Sequence, residues 1–180
     1  MKMNRAVLTA IVVLVVAGAG WWLFRRGGAE RVDLIPLFDQ AKKSGGEFTV
    51  IDATLAGETK KAIAAPPNGR ITFRVRVPDD GWLRLSLGMK PESWDKEGNG
   101  VYFFAGVSDG RAFQELFTQT VNPFANPSER RWIPVTVDLS AYGGEEMEII
   151  LNTRATGPSG GASDDRNDLP LWGAPEIVRR

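Results

Sequence analysis

Hydrophobic and polar residues alternate with period two through most of the chain beyond residue 47, and the pattern is plainest from Arg131 to Leu151. There Ile133, Val135, Val137 and Leu139 fall on one side of an extended chain, with Trp132, Pro134, Thr136 and Asp138 on the other. Ser140 to Glu145, carrying Gly143-Gly144, reverses the chain into a second run in which Met147, Ile149 and Leu151 oppose Glu148, Ile150 and Asn152. Asp138, just before Leu139-Ser140, reads as a turn-capping residue. The same alternation sets Ile71, Phe73, Val75 and Val77 against Thr72, Arg74 and Arg76. After Pro78-Asp79-Asp80-Gly81 it sets Leu83, Leu85 and Leu87 against Trp82, Arg84 and Ser86. Further strands are predicted over Phe48 to Ala53, Val101 to Val107, Arg111 to Val121 and about Leu169 to Val178, with Asp109-Gly110 at a tight hairpin turn. Leu55 to Ala65 is ambiguous. Three stretches read as long loops: Gly88 to Gly100, Asn122 to Arg130 with its two prolines, and Thr153 to Asp168, rich in Gly, Ser and Asp. About eight or nine strands joined by turns predict an all-β sandwich over residues 47–180.

The first 46 residues follow other rules. Ala6 to Phe24 is 19 residues without a charge, about 28 Å as a helix and close to the thickness of a bilayer's hydrocarbon core. Trp21 and Trp22 sit where an interfacial aromatic belt belongs, and Arg25 and Arg26 can snorkel to headgroups. Residues 1–26 are therefore expected to form a transmembrane anchor. The alternative is a cleaved signal peptide, with Ala17-Gly18-Ala19 as its cleavage site. Basic residues flank both ends, and the short basic tail of Lys2 and Arg5 favours an N-terminus on the cytoplasmic face, with the domain outside the cytoplasm at a bacterial-type cell membrane. Over 27–46, Gly27-Gly28 forms a short tether. A juxtamembrane amphipathic helix is expected next, with Asp33 as N-cap, Leu34, Leu37, Phe38 and Ala41 at helical spacing, and Gly45-Gly46 as its stop.

Composition removes several chemistries. The 180 residues contain no cysteine and no histidine, which excludes disulfides, thiolate metal sites and a Ser/His/Asp triad. Net charge is zero, but the first 26 residues hold four basic residues and no acid, leaving 18 basic and 22 acidic residues in the remainder. A mildly acidic domain is a poor match for nucleic acid.

Three constellations are candidates for a site. Trp82, Trp94, Tyr102 and Trp132 include three side chains that fall off the inward register or in a loop, with Arg84 and other arginines on outward positions. With Phe124 and Arg130 in the proline-fixed loop, they fit a glycan surface or a protein interface, where Trp, Tyr and Arg are enriched; the alternative for Trp132 and Trp82 is packing under loops or on the juxtamembrane helix. Asp164, Asp165 and Asp168 place hard oxygen ligands together and suit a structural calcium, without the spacing of an EF-hand; a solvated acidic loop is the alternative. Paired carboxylates for glycoside hydrolysis would have to come from Asp95, Glu97, Asp109, Glu115 or Asp138, which sit at turns or on outward positions, so no catalytic residue is expected.

The run W-I-P-V-T-V-D-L-S-A-Y-G-G followed by E-M-E-I-I-L, preceded by G-V-Y-F-F-A-G-V-S-D-G and closed by L-W-G-A-P-E-I, resembles galactose-binding-like jelly rolls, the sandwiches of carbohydrate-binding modules. The resemblance covers roughly Glu47 to Val178 and implies a jelly-roll fold. Family members often carry a structural calcium, but no motif here transfers its ligands. Two functions remain: a non-catalytic accessory subunit packing on partners in a larger membrane complex, or an envelope-tethered carbohydrate-binding module. The short tether favours the subunit.

Overall fold

The structure is a computed structural model and describes residues 31–155 and 165–180. Ala6 to Phe24, with Trp21, Trp22, Arg25 and Arg26, lies outside the described residues. Among those described, no helix is long and apolar enough to cross a membrane.

The alternating runs become two antiparallel sheets packed face to face. Their strands are β1 (Arg31–Asp33), β2 (Lys42–Ser44), β3 (Thr49–Leu55), β4 (Glu58–Ala64), β5 (Arg70–Arg76), β6 (Gly81–Met89), β7 (Val101–Ser108), β8 (Phe113–Val121), β9 (Ile133–Asp138), β10 (Glu146–Arg154) and β11 (Pro170–Arg179). One sheet runs β3-β4-β11-β6-β9, with β1 also paired to β11; the other runs β2-β5-β10-β7-β8. The period-two pattern sends one face of every long strand into the space between them. There Leu83, Leu85 and Leu87 of β6 and Trp172 and Ile177 of β11 meet Ile71 and Phe73 of β5, Ile149 and Leu151 of β10, and Phe103 of β7. Phe103 and Trp172 pack edge to face, ring centroids 5.0 Å apart.

Four expectations change. The described strands number eleven, because short pieces at the start of the chain join both sheets. The amphipathic α-helix expected across Asp33 to Ala41 is instead a 3-10 turn, Ile35–Gln40, with no side-chain cap at Leu34. Asp33 accepts from the Ile35 amide, 3.0 Å, but six residues with Pro36 among them are too few to nucleate an α-helix against competing strand pairing. Leu34, fully buried, donates its amide to Pro175, while β1 pairs with β11 and β2 with β5. The sandwich therefore begins well before Glu47. The ambiguous stretch Leu55 to Ala65 closes the β3–β4 hairpin, turning at Ala56 (φ 50°) and Gly57 (φ 84°), the paired left-handed conformations of a type I′ turn.

Trp132 is the fourth, where packing takes the place of ligand or interface contact. It does face away from the space between the sheets, but it is only 4% exposed. It lies across the outer face of the β11–β6 pair and packs with Ala53, Leu55, Ala62 and Leu171, its indole Nε1 donating to the Glu58 carbonyl at 2.9 Å. Two glycines make the room. A Cβ at Gly173 would stand 2.6 Å from Trp132 Cζ3, and one at Gly88 would stand 2.4 Å from Leu55 Cδ1 and 3.1 Å from the indole. Gly173→Ala is accordingly expected to destabilise the protein by about 1–3 kcal/mol through overpacking, read as a lowered denaturant midpoint; an unchanged midpoint would mean that the indole is not seated there.

Topology gives the sandwich two unlike ends. The loops 90–100 and 122–132 leave one end, together with residues 165–169 and the turn at Pro66 to Gly69. The connections at 77–80, 109–112 and 139–145 occupy the other, where β1 also enters beside Val178.

Candidate functional site

The sequence-predicted residues do not converge. Trp82 and Arg84 lie on the outer face of β6, where Arg180 covers the Trp82 ring at 5.1 Å and leaves it half-buried. Trp94 is half-buried at the loop end; its Nε1 donates to the Met89 carbonyl at 2.9 Å. Arg130 donates to the carbonyls of Pro123 (3.0 Å) and Trp94 (2.8 Å) and pairs with Asp95 at 3.0 Å, so it staples two loops together. Phe124 projects from this staple, 43% exposed. The aromatic and the cation predicted as ligand contacts here are mostly spent on holding loops, and Trp132 is buried packing.

Tyr102 has different company. On β7, the residues pointing away from the core are Tyr102, Phe104, Gly106 and Ser108, since Phe103, Ala105 and Val107 point in. Cross-strand register places Arg154 opposite Tyr102, Asn152 opposite Phe104 and Ile150 opposite Gly106 on β10, with Thr120 and Thr118 opposite Tyr102 and Phe104 on β8. Phe113, at the start of β8, leans over Gly106: a Cβ there would come within 2.6 Å of the Phe113 ring. The result is an aromatic strip along β7. Tyr102 and Phe104 have centroids 6.2 Å apart, Phe104 and Phe113 6.3 Å apart, and the Arg154 guanidinium stands 5.1 Å over Phe104. Phe104 is the buried floor, whereas Phe113 is 47% exposed, the other large exposed hydrophobic besides Phe124 among the described residues. A β-bulge at Leu116 shifts the β7–β8 register between Ala105 and Gly106 and twists this edge strand, which discourages sheet-to-sheet association along it.

The strip has the means to bind a sugar. An aromatic face carries partial negative charge and attracts the C–H bonds of a pyranose ring, while the exposed Thr118 and Thr120 border it with hydroxyl groups. Of these residues only Tyr102 is a candidate from the sequence. Phe104 and Phe113 lie in strands whose pattern gives no direction, and the one available signal is the small residue Gly106 in a run of large ones, a mark of something lying close over the backbone.

The charged half of the same face carries acids among its bases: Lys42 pairs with Glu148 and Arg74 with Glu146, each at 3.0 Å, and Arg76 stands opposite Glu146. At the short-turn end a cleft of about 500 Å³ is lined by Val107, Gln114, Tyr142, Met147 and the acids Asp109 and Glu145. Asp109 accepts from the amides of Ala112 and Arg111, both 2.8 Å, and these bonds hold its carboxyl below the usual value. Asp138 caps its turn as expected: the bonds from the Ser140 side chain and amide lower its pKa as well. A depressed carboxyl stabilises the fold above its unfolded pKa, and that contribution fades only as pH falls through the lower folded value. Both changes lie in the acid range, and the chain has no histidine or cysteine to titrate nearer neutrality. Ligand affinity is therefore expected to stay flat between about pH 5 and 7; a bell-shaped profile in a pH titration would contradict this.

For calcium, the described residues contain no group of three or more acids close enough to hold a metal; Asp164 lies outside them. Asp165 is exposed and Asp168 buried, the Asp168 amide donating to the Asp165 carbonyl at 3.3 Å.

No family model matches the chain. A protein of Archaeoglobus fulgidus described only as uncharacterized is 39% identical over 105 residues, 57% of this chain; the match spans about a quarter of that relative's length. Among solved structures, the chain is similar to CBM51 from Clostridium perfringens GH95 in complex with methyl-galactose, with TM-score 0.55, 16% identity, and coverage of 82% of this chain and 99% of that one. It is also similar to TmCBM61 in complex with β-1,4-galactotriose (TM-score 0.50, 13% identity, 79% and 90% covered). The CBM22-2 xylan-binding domain from Paenibacillus barcinonensis Xyn10C is a third (TM-score 0.50, 6% identity, 83% and 98% covered). The fold is that of carbohydrate-binding modules, an all-β sandwich of two sheets.

Proposed function

We propose that this chain is a non-catalytic glycan-binding module that stacks a short oligosaccharide on the Phe113 and Tyr102 rings, which flank the buried Phe104. The observation that carries it is the half-exposed Phe113 ring, seated over a glycine on the outer face of the sheet and backed by Phe104. The solved structures of the same fold support it, since their names record a galactoside, a galactotriose and xylan as ligands. The accessory-subunit reading, which the sequence favoured, gains no comparable support.

In this proposal Ala6 to Phe24 anchors the module in a cell membrane, with the sandwich outside the cytoplasm. The entry of β1 at the short-turn end suits such a tether, because the chain from the anchor then reaches the sandwich at the end opposite the loops 90–100 and 122–132. The test is affinity electrophoresis of the full chain in mild detergent through gels containing galactan, xylan or acidic polysaccharides. Retardation by at least one of them is expected; unretarded migration through all would overturn the proposal.

A further inference from the structure

Charge on the outer face of the β2-β5-β10-β7-β8 sheet is unevenly answered. Toward the short-turn end, each of Lys42 and Arg74 has its glutamate. Toward the loop end stand Arg70 on β5 and Arg154 on β10. Arg70 is opposite Asn152 and Arg154 is two residues farther along the same strand, so the two are diagonal neighbours within reach of each other's long side chains. Both are exposed, and among the described residues neither forms an ion pair with a carboxylate. The residues that border them on this face, Ser44, Tyr102, Phe104, Asn152 and Thr120, are uncharged. Two like charges placed side by side repel each other, and an anion between them removes that cost.

The orientation of Arg154 adds a second constraint. Its guanidinium is held over the Phe104 ring at 5.1 Å, and a guanidinium that rests on a ring in this way can still donate from its N–H groups. Those groups, beside an aromatic strip, match a planar carboxylate on a sugar already stacked on the rings.

We infer that the glycan is an acidic one, a uronic-acid oligosaccharide whose carboxylate is taken by Arg154 and Arg70 while its ring stacks on Phe113 and Tyr102. This rests on the glycan-binding reading above. It narrows the ligand from sugars in general to carboxylated sugars. It also sets the site apart from the acidic cleft at the opposite end, which repels such a ligand.

The test compares oligogalacturonate with its carboxyl-reduced, neutral counterpart, by calorimetric titration of the full chain in detergent. Oligogalacturonate is expected to bind at least about tenfold more tightly, the preference shrinking as ionic strength is raised from about 0.05 to about 0.5 M. Arg154→Gln and Arg70→Gln are each expected to cost about tenfold or more against the acidic ligand, with little change against the neutral one. Arg84→Gln, on the other sheet, should change neither. Equal or tighter binding of the neutral oligomer, insensitive to salt and to both arginine substitutions, would overturn the acidic assignment while leaving the glycan module standing. Binding of neither ligand, with galactan and xylan also refused, would overturn both.

Discussion

Trp132→Ala is expected to lower the unfolding free energy by about 3–5 kcal/mol, the range for removing a buried tryptophan or phenylalanine. The indole is the lid of a small second core. It covers Leu55, Ala62 and Leu171 on the outer face of the first sheet and is held by its bond to Glu58 in the β3–β4 turn. Alanine would uncover the cleared surface at Gly88 and Gly173 and leave the Glu58 carbonyl without that donor. Because the wall of this core faces outward, it has little freedom to collapse inward and fill the space. Chemical denaturation would show the loss as a lower midpoint at constant slope. A loss below about 1 kcal/mol would place Trp132 on the surface, available for ligand as the outward register suggested.

Phe113→Ala should do the reverse, leaving stability within about 0.5 kcal/mol and weakening glycan binding at least about tenfold. The ring is nearly half exposed and packs on one side only, against Phe104 and Gly106, so its removal opens no enclosed cavity. What it removes is the apolar surface on which a sugar ring would be buried. Trp82→Ala and Trp94→Ala, by contrast, should leave binding unchanged, because one ring lies under Arg180 and the other is fixed to the Met89 carbonyl. Isothermal titration of the three variants against one glycan separates the strip from the two tryptophans.

That contrast shows what a linear sequence carries. Alternation gave the direction of Ile71 to Val77, Trp82 to Leu87 and Ile133 to Leu139 correctly, because burial between two sheets imposes period two on each strand independently. It was silent on what covers the outer face. Trp132 and Trp82 share the outward register, yet one is buried across Gly88 and Gly173, far apart in sequence, and the other is capped by Arg180. Arg130 reads as a contact because it closes a proline-fixed loop; its three partners are in the loops before β7 and after β8. Phe104 and Phe113 escaped notice because they lie in runs so apolar that no side stands out, V-Y-F-F-A-G-V above all. The start of the sandwich was misplaced because Leu34, Leu37, Phe38 and Ala41 satisfy helical spacing as well as they satisfy a 3-10 turn packed on the core.

The proposed glycan site lies on the outer face of β7, and hydroxyl-radical footprinting of the full chain with and without a retained polysaccharide locates it. Tyr102 and Phe113 are reactive aromatics with exposed surface, and glycan is expected to protect both while Phe124 and Trp94 at the loop end keep their reactivity. Protection of Phe124 and Trp94 with Phe113 unchanged would contradict this and move the site to the loops.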